Sequence, residues 1–361
     1  MKIFYSVEAY FPHISGVTIV TDRLATHFGR KKEDQVWVVT ASASGDFKVE
    51  QTHKGYTILR IKSFPNPIRR KIRVSYLAKL EISRVLDKYH PDLIHLQDPL
   101  FISQALATEA KERNTPVIAT QHSSLAFPLA YLGLPKLLQR FAGQIMAKIL
   151  ANFYNKYLDK FCVKYADLIL SSSDYSGKYA KKVYGKTSIT NYLGVDLDKY
   201  KKIKNVKKEN LTISVGVLQP HKGHEFSIRS IGLIPKEKRP KLIIIAALGS
   251  KNEKKKLYKL AKKLDVNLEI TGYVPDEEFV KLHNKAKLVV IPFIREPSIE
   301  PVALACETPI VAVREGGARE TIIHNKTGIL TNRDEKEFAK AIEYLLDNPE
   351  IAENMGKKGR E

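Results

Sequence analysis

The sequence predicts an α/β chain built as two doubly wound, parallel-sheet domains. Short apolar runs alternate with helical segments from one end to the other, the pattern of repeated β-α-β units. At 361 residues the chain exceeds the roughly 250–300 that one hydrophobic core fills. The stretch 287–321, KLVVIPFIREPSIEPVALACETPIVAVREGGARET, holds a whole β-α-β unit. Its residues 288–292 read as a strand buried on both faces. A polar loop with Glu296, Ser298 and Glu300 follows. Pro301 suits a first helical turn, and residues 302–306 continue a compact helix. Residues 308–313 are a second buried strand, closed by Gly316-Gly317. Acids and glycines thus gather at the carboxyl ends of strands, the edge at which open α/β sheets hold ligands, where a helix N-terminus offers N–H groups to phosphate.

Taken in order, residues 2–7 are a first strand, and the loop Phe11-Pro12-His13-Ile14-Ser15-Gly16-Val17 leads into a helix ending near residue 31. Gly16, in a strand-to-helix turn, permits a close ligand. Strands follow at 35–40 and 56–61. Arg69-Arg70-Lys71-Ile72-Arg73 reads either as a solvated turn or as a site for acidic lipid headgroups. Residues 92–98 and 116–122 are strands with polar carboxyl ends, which carry His95 and His122. Residues 125–165 are a helical region rich in Leu, Phe, Tyr and Lys, suited either to a core helix pair or to a membrane interface. Strands at 167–173 and 187–191 complete the first half. The charged segment 201–209 reads as the linker, which sets the domains at 1–200 and 201–361.

The second half repeats the alternation, with strands at 211–217, 241–246 and 268–274 and helices at 252–265 and 276–286. Past the central stretch come a turn and strand over 321–330 and an amphipathic helix over 334–347. In the turn Pro220-His221-Lys222-Gly223, a lysine beside glycine can reach a diphosphate and balance its charge as it departs.

Composition narrows the partners. A formal net charge of +21, spread over both halves, favours polyanions: nucleic acid, an anionic membrane surface or phosphorylated substrates. A lysine-rich genome produces the same excess with no function attached. The aromatic-basic motifs of nucleic-acid modules are absent, so no nucleic-acid partner is expected. Cys162 and Cys306 sit in apolar surroundings and read as reduced core cysteines of a cytoplasmic protein. Met1-Lys2 runs directly into a strand, and no apolar run reaches the ~18 residues of a membrane span. The expected location is cytoplasmic, with peripheral attachment at the inner face of the membrane as its extension.

The order strand, acidic loop, Ala303-Leu304-Ala305-Cys306-x-Thr308-Pro309, strand, Gly316-Gly317-x-x-Glu320 resembles the nucleotide-binding half of one family. It is similar to the retaining GT-B glycosyltransferases of carbohydrate-active family four, which carry an E-x7-E motif. Gly194-Val195-Asp196 and the set Gly216, Leu218, Lys222 and Gly223 extend the likeness over nearly the whole chain. The resemblance implies a GT-B fold, two Rossmann-like parallel-sheet domains facing across a cleft. The first would bind the acceptor and the second the nucleotide sugar. The implied activity moves a hexose from a UDP- or GDP-linked donor to a lipid or saccharide acceptor with retention of anomeric configuration.

Carried over by position, the resemblance gives catalytic roles to His122, Lys222 and Glu296. Donor contacts would come from Gly16, Lys222, Glu296, Ser298, Ile299, Glu300, Gly316 and Gly317, and acceptor contacts from His13, Gly16, His95 and His122. Thr120-Gln121-His122 matches the T-x-H segment whose histidine faces the transferred sugar. The nucleotide sugar is substrate, and no cofactor or metal is implied; no D-x-D pair ends a strand.

The chain also departs from the pattern. Ser15 replaces the first glycine of P-x-x-G-G-V, and Val217 replaces the arginine of V-G-R-L-x-x-x-K-G. Anchoring on Ala305-Cys306-x-Thr308-Pro309 puts Val302 at the second glutamate, and Glu296 matches the first only if two residues are missing. Glu307 stands in place of the glycine before Thr308. These departures support an alternative, a catalytically weak or inactive relative that binds sugar nucleotide or an anionic membrane. A glycoside hydrolase pairing Glu296 with Glu300 is disfavoured, because both acids share one short loop. The family usually continues into a helix that crosses back to the first domain, so the chain looks short at its end.

Overall fold

Apolar runs must bury both faces, and the computed structural model places those at 36–39, 242–245 and 288–291 inside its sheets. It describes residues 1–65, 73–122, 160–247, 249–293 and 300–361. The chain divides into two units, Met1–Tyr192 and Leu193–Glu361. The division falls ahead of residue 200 because Val195 and Tyr200 pack into the second unit's core.

In the first unit, β1 (Lys2–Ser6), β2 (Gln35–Ala41), β3 (Lys48–Gln51), β4 (Thr57–Ile61), β7 (Leu93–Leu96), β8 (Val117–Gln121), β9 (Leu168–Ser171) and β10 (Ile189–Thr190) form one sheet. Its order is β10-β9-β8-β7-β1-β2-β4-β3, parallel except for β3 against β4. A small antiparallel pair, β5 (Phe64–Pro65) and β6 (Arg73–Val74), stands apart. Side chains alternate along β1: Phe4 joins the core with Trp37 and Leu96, whereas Ile3 and Tyr5 join the opposite one with Val36 and Val38. The connecting helices are α1 (Gly16–Gly29), α2 (Ala78–Tyr89), α3 (Phe101–Glu112), α4 (Lys160–Tyr165) and α5 (Asp174–Tyr184). Ser15, the departure from the expected glycine pair, caps α1 by accepting from Thr18 N at 3.1 Å.

The second unit has six strands: β11 (Glu209–Val215), β12 (Lys241–Ile245), β13 (Leu268–Thr271), β14 (Ala286–Ile291), β15 (Ile310–Val313) and β16 (Gly328–Thr331). They run parallel in the order β13-β12-β11-β14-β15-β16. By position in the unit that is 3-2-1-4-5-6, the doubly wound order. Leu288 and Val290 of β14 face one core, Val289 and Ile291 the other. Its helices are α6 (His224–Gly232), α7 (Lys251–Lys263), α8 (Asp276–Lys285), α9 (Glu300–Ala305), α10 (Ala318–Thr321), α11 (Glu335–Asp347) and α12 (Pro349–Arg360). The sequence reading had left the segment of α12 unassigned.

Candidate functional site

A doubly wound sheet opens where its strand order reverses, and ligands settle outside the carboxyl ends of the two strands there. In the second unit those strands are β11 and β14. The turn leaving β11 contains Gly216, the 3-10 turn Pro220–Lys222, and Gly223 in the left-handed conformation at φ 68°. The backbone leaving β14 contains Pro292 and Phe293. The two are in contact: a Cβ on Gly223 would lie 2.7 Å from Pro292 O, so only glycine fits. Lys222 is 9% exposed, and its ammonium lies 4.7 Å from the centre of the Phe293 ring. The lysine singled out from the sequence is therefore held where the acidic loop begins.

His224 supports this turn from beneath, and the sequence reading missed it. Its Nε2 donates to Gly216 O at 3.3 Å, which leaves Nδ1 to accept from Ser214 Oγ at 3.2 Å. Burial pulls its pKa down to about 4, so the ring stays neutral and fixes Gly216 through that bond. A histidine directly after the Lys-Gly pair was the available signal.

The rest of the expected donor set is distributed as follows. Glu300 opens α9 with its side chain fully buried. Glu296, Ser298 and Ile299 lie outside the described residues, as does the cluster Arg69-Arg70-Lys71. Gly316 and Gly317 follow β15, the strand next to β14, with Gly316 at φ 59°. Val302 is 2% exposed and packs with Ala303 and Cys306 in the core, so the position expected for a second glutamate belongs to the interior. Burial pushes the Cys306 thiol up to about 12, which makes it an inert core residue. Among the described residues no group of three His, Cys, Asp or Glu is placed to hold a metal ion. A hollow of about 630 Å³ meets the Lys222 turn only through Pro220 and Gly223.

In the first unit the order reverses between β1 and β7. The loop after β1 carries His13 and leads to Gly16, where an added Cβ would meet nothing within 4 Å. That open space leaves room for another molecule against the backbone. His122 follows β8, and its Nε2 donates to Gln97 Oε1 at 2.8 Å. Gln97 is buried, and its remaining amide atom meets no partner among the described residues. His95, also expected at the acceptor, is more buried than His122. It is 9% exposed, pairs with Thr120 Oγ1 at 2.7 Å and packs on the Tyr5 ring. Burial, with the nearby His122, pulls its pKa down to about 3. The ring is therefore neutral and held within the sheet.

Two buried carboxyls tie this edge together. Glu8, just after β1, accepts from Ser75 N at 2.7 Å and Ile102 N at 2.9 Å, and its own N–H donates to Asp98 Oδ2 at 2.5 Å. Asp98 also accepts from Leu100 N and Ser103 Oγ. Burial, then the Asp98 charge, pushes Glu8 up to about 8; burial raises Asp98 as well. A carboxyl whose folded pKa is raised stabilises the fold when protonated. Its contribution is complete below about 4.5 and disappears as pH rises through about 8. The thermal midpoint is expected to fall between pH 5 and 8, and Glu8→Gln to flatten that slope. An identical slope in the variant would assign the dependence to another group.

Comparison with known proteins follows the same division of the chain. Residues 14–199 match the family model described as Glycosyltransferase Family 4, and residues 196–361 that described as Glycosyl transferases group 1. An uncharacterized glycosyltransferase of Methanocaldococcus jannaschii is 24% identical over 360 residues, covering 98% of this chain and 90% of that one. A D-inositol 3-phosphate glycosyltransferase of Catenulispora acidiphila is 26% identical over 301 residues, covering 75% and 66% respectively. Among solved structures, Anabaena HepE in complex with UDP-glucose superposes with a TM-score of 0.76 at 16% identity, covering 100% of this chain and 93% of that one.

Proposed function

The chain belongs to glycosyltransferase family 4, with the GT-B fold and a group 1 nucleotide-binding half, and from that premise we propose a retaining hexosyltransferase that uses a UDP- or GDP-linked sugar. The observation that carries this reading is Lys222, held by Gly223 and Phe293 at the β11–β14 switch point. In the reaction the C1–O bond to the diphosphate breaks, the diphosphate leaves with the electron pair, and an acceptor hydroxyl oxygen bonds to C1 on the same face while its proton passes to the departing diphosphate oxygen. An ammonium beside the diphosphate offsets the charge that develops on it. Glu300 and the loop carrying Glu296, Ser298 and Ile299 would hold the sugar and ribose, with Gly316 and Gly317 lining the neighbouring strand end. His122 would meet the acceptor, and a hydroxyl entering beside it would complete the amide of Gln97.

The acceptor we infer is a lipid at an anionic surface. Leu77 and Leu80, at the start of α2, are 76% and 77% exposed, with Tyr76 and Phe64 also exposed. Lys79 stands among them, paired with Glu109 at 3.4 Å and Glu112 at 3.9 Å, and Arg73 of β6 donates to Ser63 Oγ at 2.9 Å. Exposed apolar anchors on a chain of net charge +21 suit an anionic headgroup layer. Among the described residues no helix is long and apolar enough to cross a membrane.

The test uses a radiolabelled donor with acidic-lipid liposomes in one arm and soluble saccharides in the other. Label should enter the lipid fraction, and NMR of the product should show the donor's anomeric configuration. Replacing Leu77 and Leu80 together by Glu should weaken liposome binding by at least about tenfold, since each buried leucine contributes ~1.5–3 kcal/mol. Transfer to saccharide alone would contradict the lipid acceptor, and an inverted product would contradict retention.

A second reading has its own support. Val217 and the core-packed Val302 stand where the resembled family has an arginine and a glutamate. A binder of sugar nucleotide without turnover would fit both, and would show saturable donor binding with no nucleotide release.

A further inference from the structure

A cavity of about 320 Å³ lies at the amino-terminal edge of the second sheet, opposite the Lys222 turn. Its floor is where three central strands begin: Lys208 precedes β11, Lys287 lies in β14 and Pro309 precedes β15. Its walls are the linker residues Ile203 and Val206 and the junction of α11 with α12, including Leu345, Leu346 and Pro349. The volume falls at the lower end of the range of small-molecule sites.

Its charges are unevenly committed. Lys202 is spent on two acids, Glu307 at 3.2 Å and Glu353 at 3.5 Å. Glu307 keeps a left-handed backbone at φ 54°, in the position expected to be glycine, so this acid stands where an L-residue is strained. Lys208 runs its stem along the surface and turns its ammonium inward, donating to Ala286 O at 2.7 Å and to Thr308 Oγ1 at 3.4 Å. The Thr308 hydroxyl gives its own hydrogen to His283 O, so it can only accept from the lysine. An ammonium has three N–H groups, and two are accounted for. Burial and the neighbouring Lys202 pull the Lys208 ammonium down to about 8, a penalty that an arriving anion would relieve. Lys287 makes no ion pair among the described residues.

We propose that this cavity binds a small amphiphile with one anionic head, a carboxylate or phosphate received by Lys208 and Lys287, and an aliphatic body laid against Ile203, Val206, Leu345 and Leu346. The inference stands apart from the donor site, and its test needs no turnover. Calorimetric titration of the full chain would compare octanoate, hexyl phosphate, octanol and inorganic phosphate. Octanoate or hexyl phosphate should bind one to one, and whichever is tighter identifies the head. Octanol, lacking charge, and inorganic phosphate, lacking a tail, should each bind at least tenfold more weakly. Lys208→Met should weaken the anion by at least tenfold. Lys287→Met, which removes no bond to the backbone, should weaken it severalfold. Val206→Trp, at a partly exposed linker position, should abolish binding by filling the cavity. Octanol binding as tightly as octanoate, inorganic phosphate binding as tightly as hexyl phosphate, unchanged binding in Val206→Trp, or no binding by any probe would overturn the proposal.

Discussion

Lys222→Ala is expected to lower nucleoside diphosphate release by about 10²–10³-fold, the usual consequence of removing one preorganised group that stabilises transition-state charge. The basis is placement. Lys222 sits on a 3-10 turn fixed by Gly223 behind it and by the His224 bond to Gly216 O, with its ammonium over Phe293. Stability should change little, since the ring contact contributes only about 0.5–1 kcal/mol. Donor binding should weaken less than the rate falls, because the leaving diphosphate is more basic than the intact donor. Steady-state kinetics with a thermal melt on the same sample separate the two effects. A variant that retains its rate would show that the departing charge is met elsewhere.

Gly223→Ala carries the largest expected cost to folding. The left-handed backbone at φ 68° costs an L-residue roughly 1–2 kcal/mol, and the new Cβ would press on Pro292 O at 2.7 Å, a backbone atom that cannot swing away. A total of about 2–4 kcal/mol corresponds to a fall of roughly 5–15 °C for a unit of this size. Because the same residue carries Lys222, the surviving folded protein should also lose donor affinity. Gly216→Ala provides a partial contrast: its Cβ would meet Lys222 and His224 at 3.4–3.7 Å, ordinary contact distances, so it bears the strain of a φ of 158° without a backbone clash and should melt above Gly223→Ala. Equal melting of the two variants would contradict the close approach of the β11 and β14 loops.

What the sequence made legible follows from the physics of burial. Strands such as β12 and β14 are apolar at every position beyond Lys241 and Lys287 because helices cover both faces of their sheet, and that signal survives without any structure. The turn at Lys222 was legible because a Lys-Gly pair after a buried strand has few other uses. The strand β3, Lys-Val-Glu-Gln on an exposed edge, gave no such signal, since it holds to β4 by backbone bonds and by the polar contacts Arg60–Glu50 and Thr57–Gln51 rather than by apolar burial. Helix α12 was hidden by Gly356 and Gly359, which lower helix propensity. They are present because the helix packs against other backbone and side chains: a Cβ on Gly356 would lie 2.1 Å from Glu307 O, and one on Gly359 would lie 2.6 Å from Leu304 Cδ2. The carboxyl pair Glu8–Asp98 joins residues 90 apart, and nothing local in either segment announces the other. At His95 the sequence leaves the ring's surroundings open, because a histidine at a strand end looks alike whether it faces a ligand or the core.

The most direct test of the donor site is release of nucleoside diphosphate from a panel of UDP- and GDP-hexoses by the unmodified chain. Saturable release from one donor, lost in Lys222→Ala, is the predicted result. Binding without release would keep the site and remove the transferase. A chain that neither binds nor cleaves any sugar nucleotide would contradict the assignment of the β11–β14 edge as a donor site.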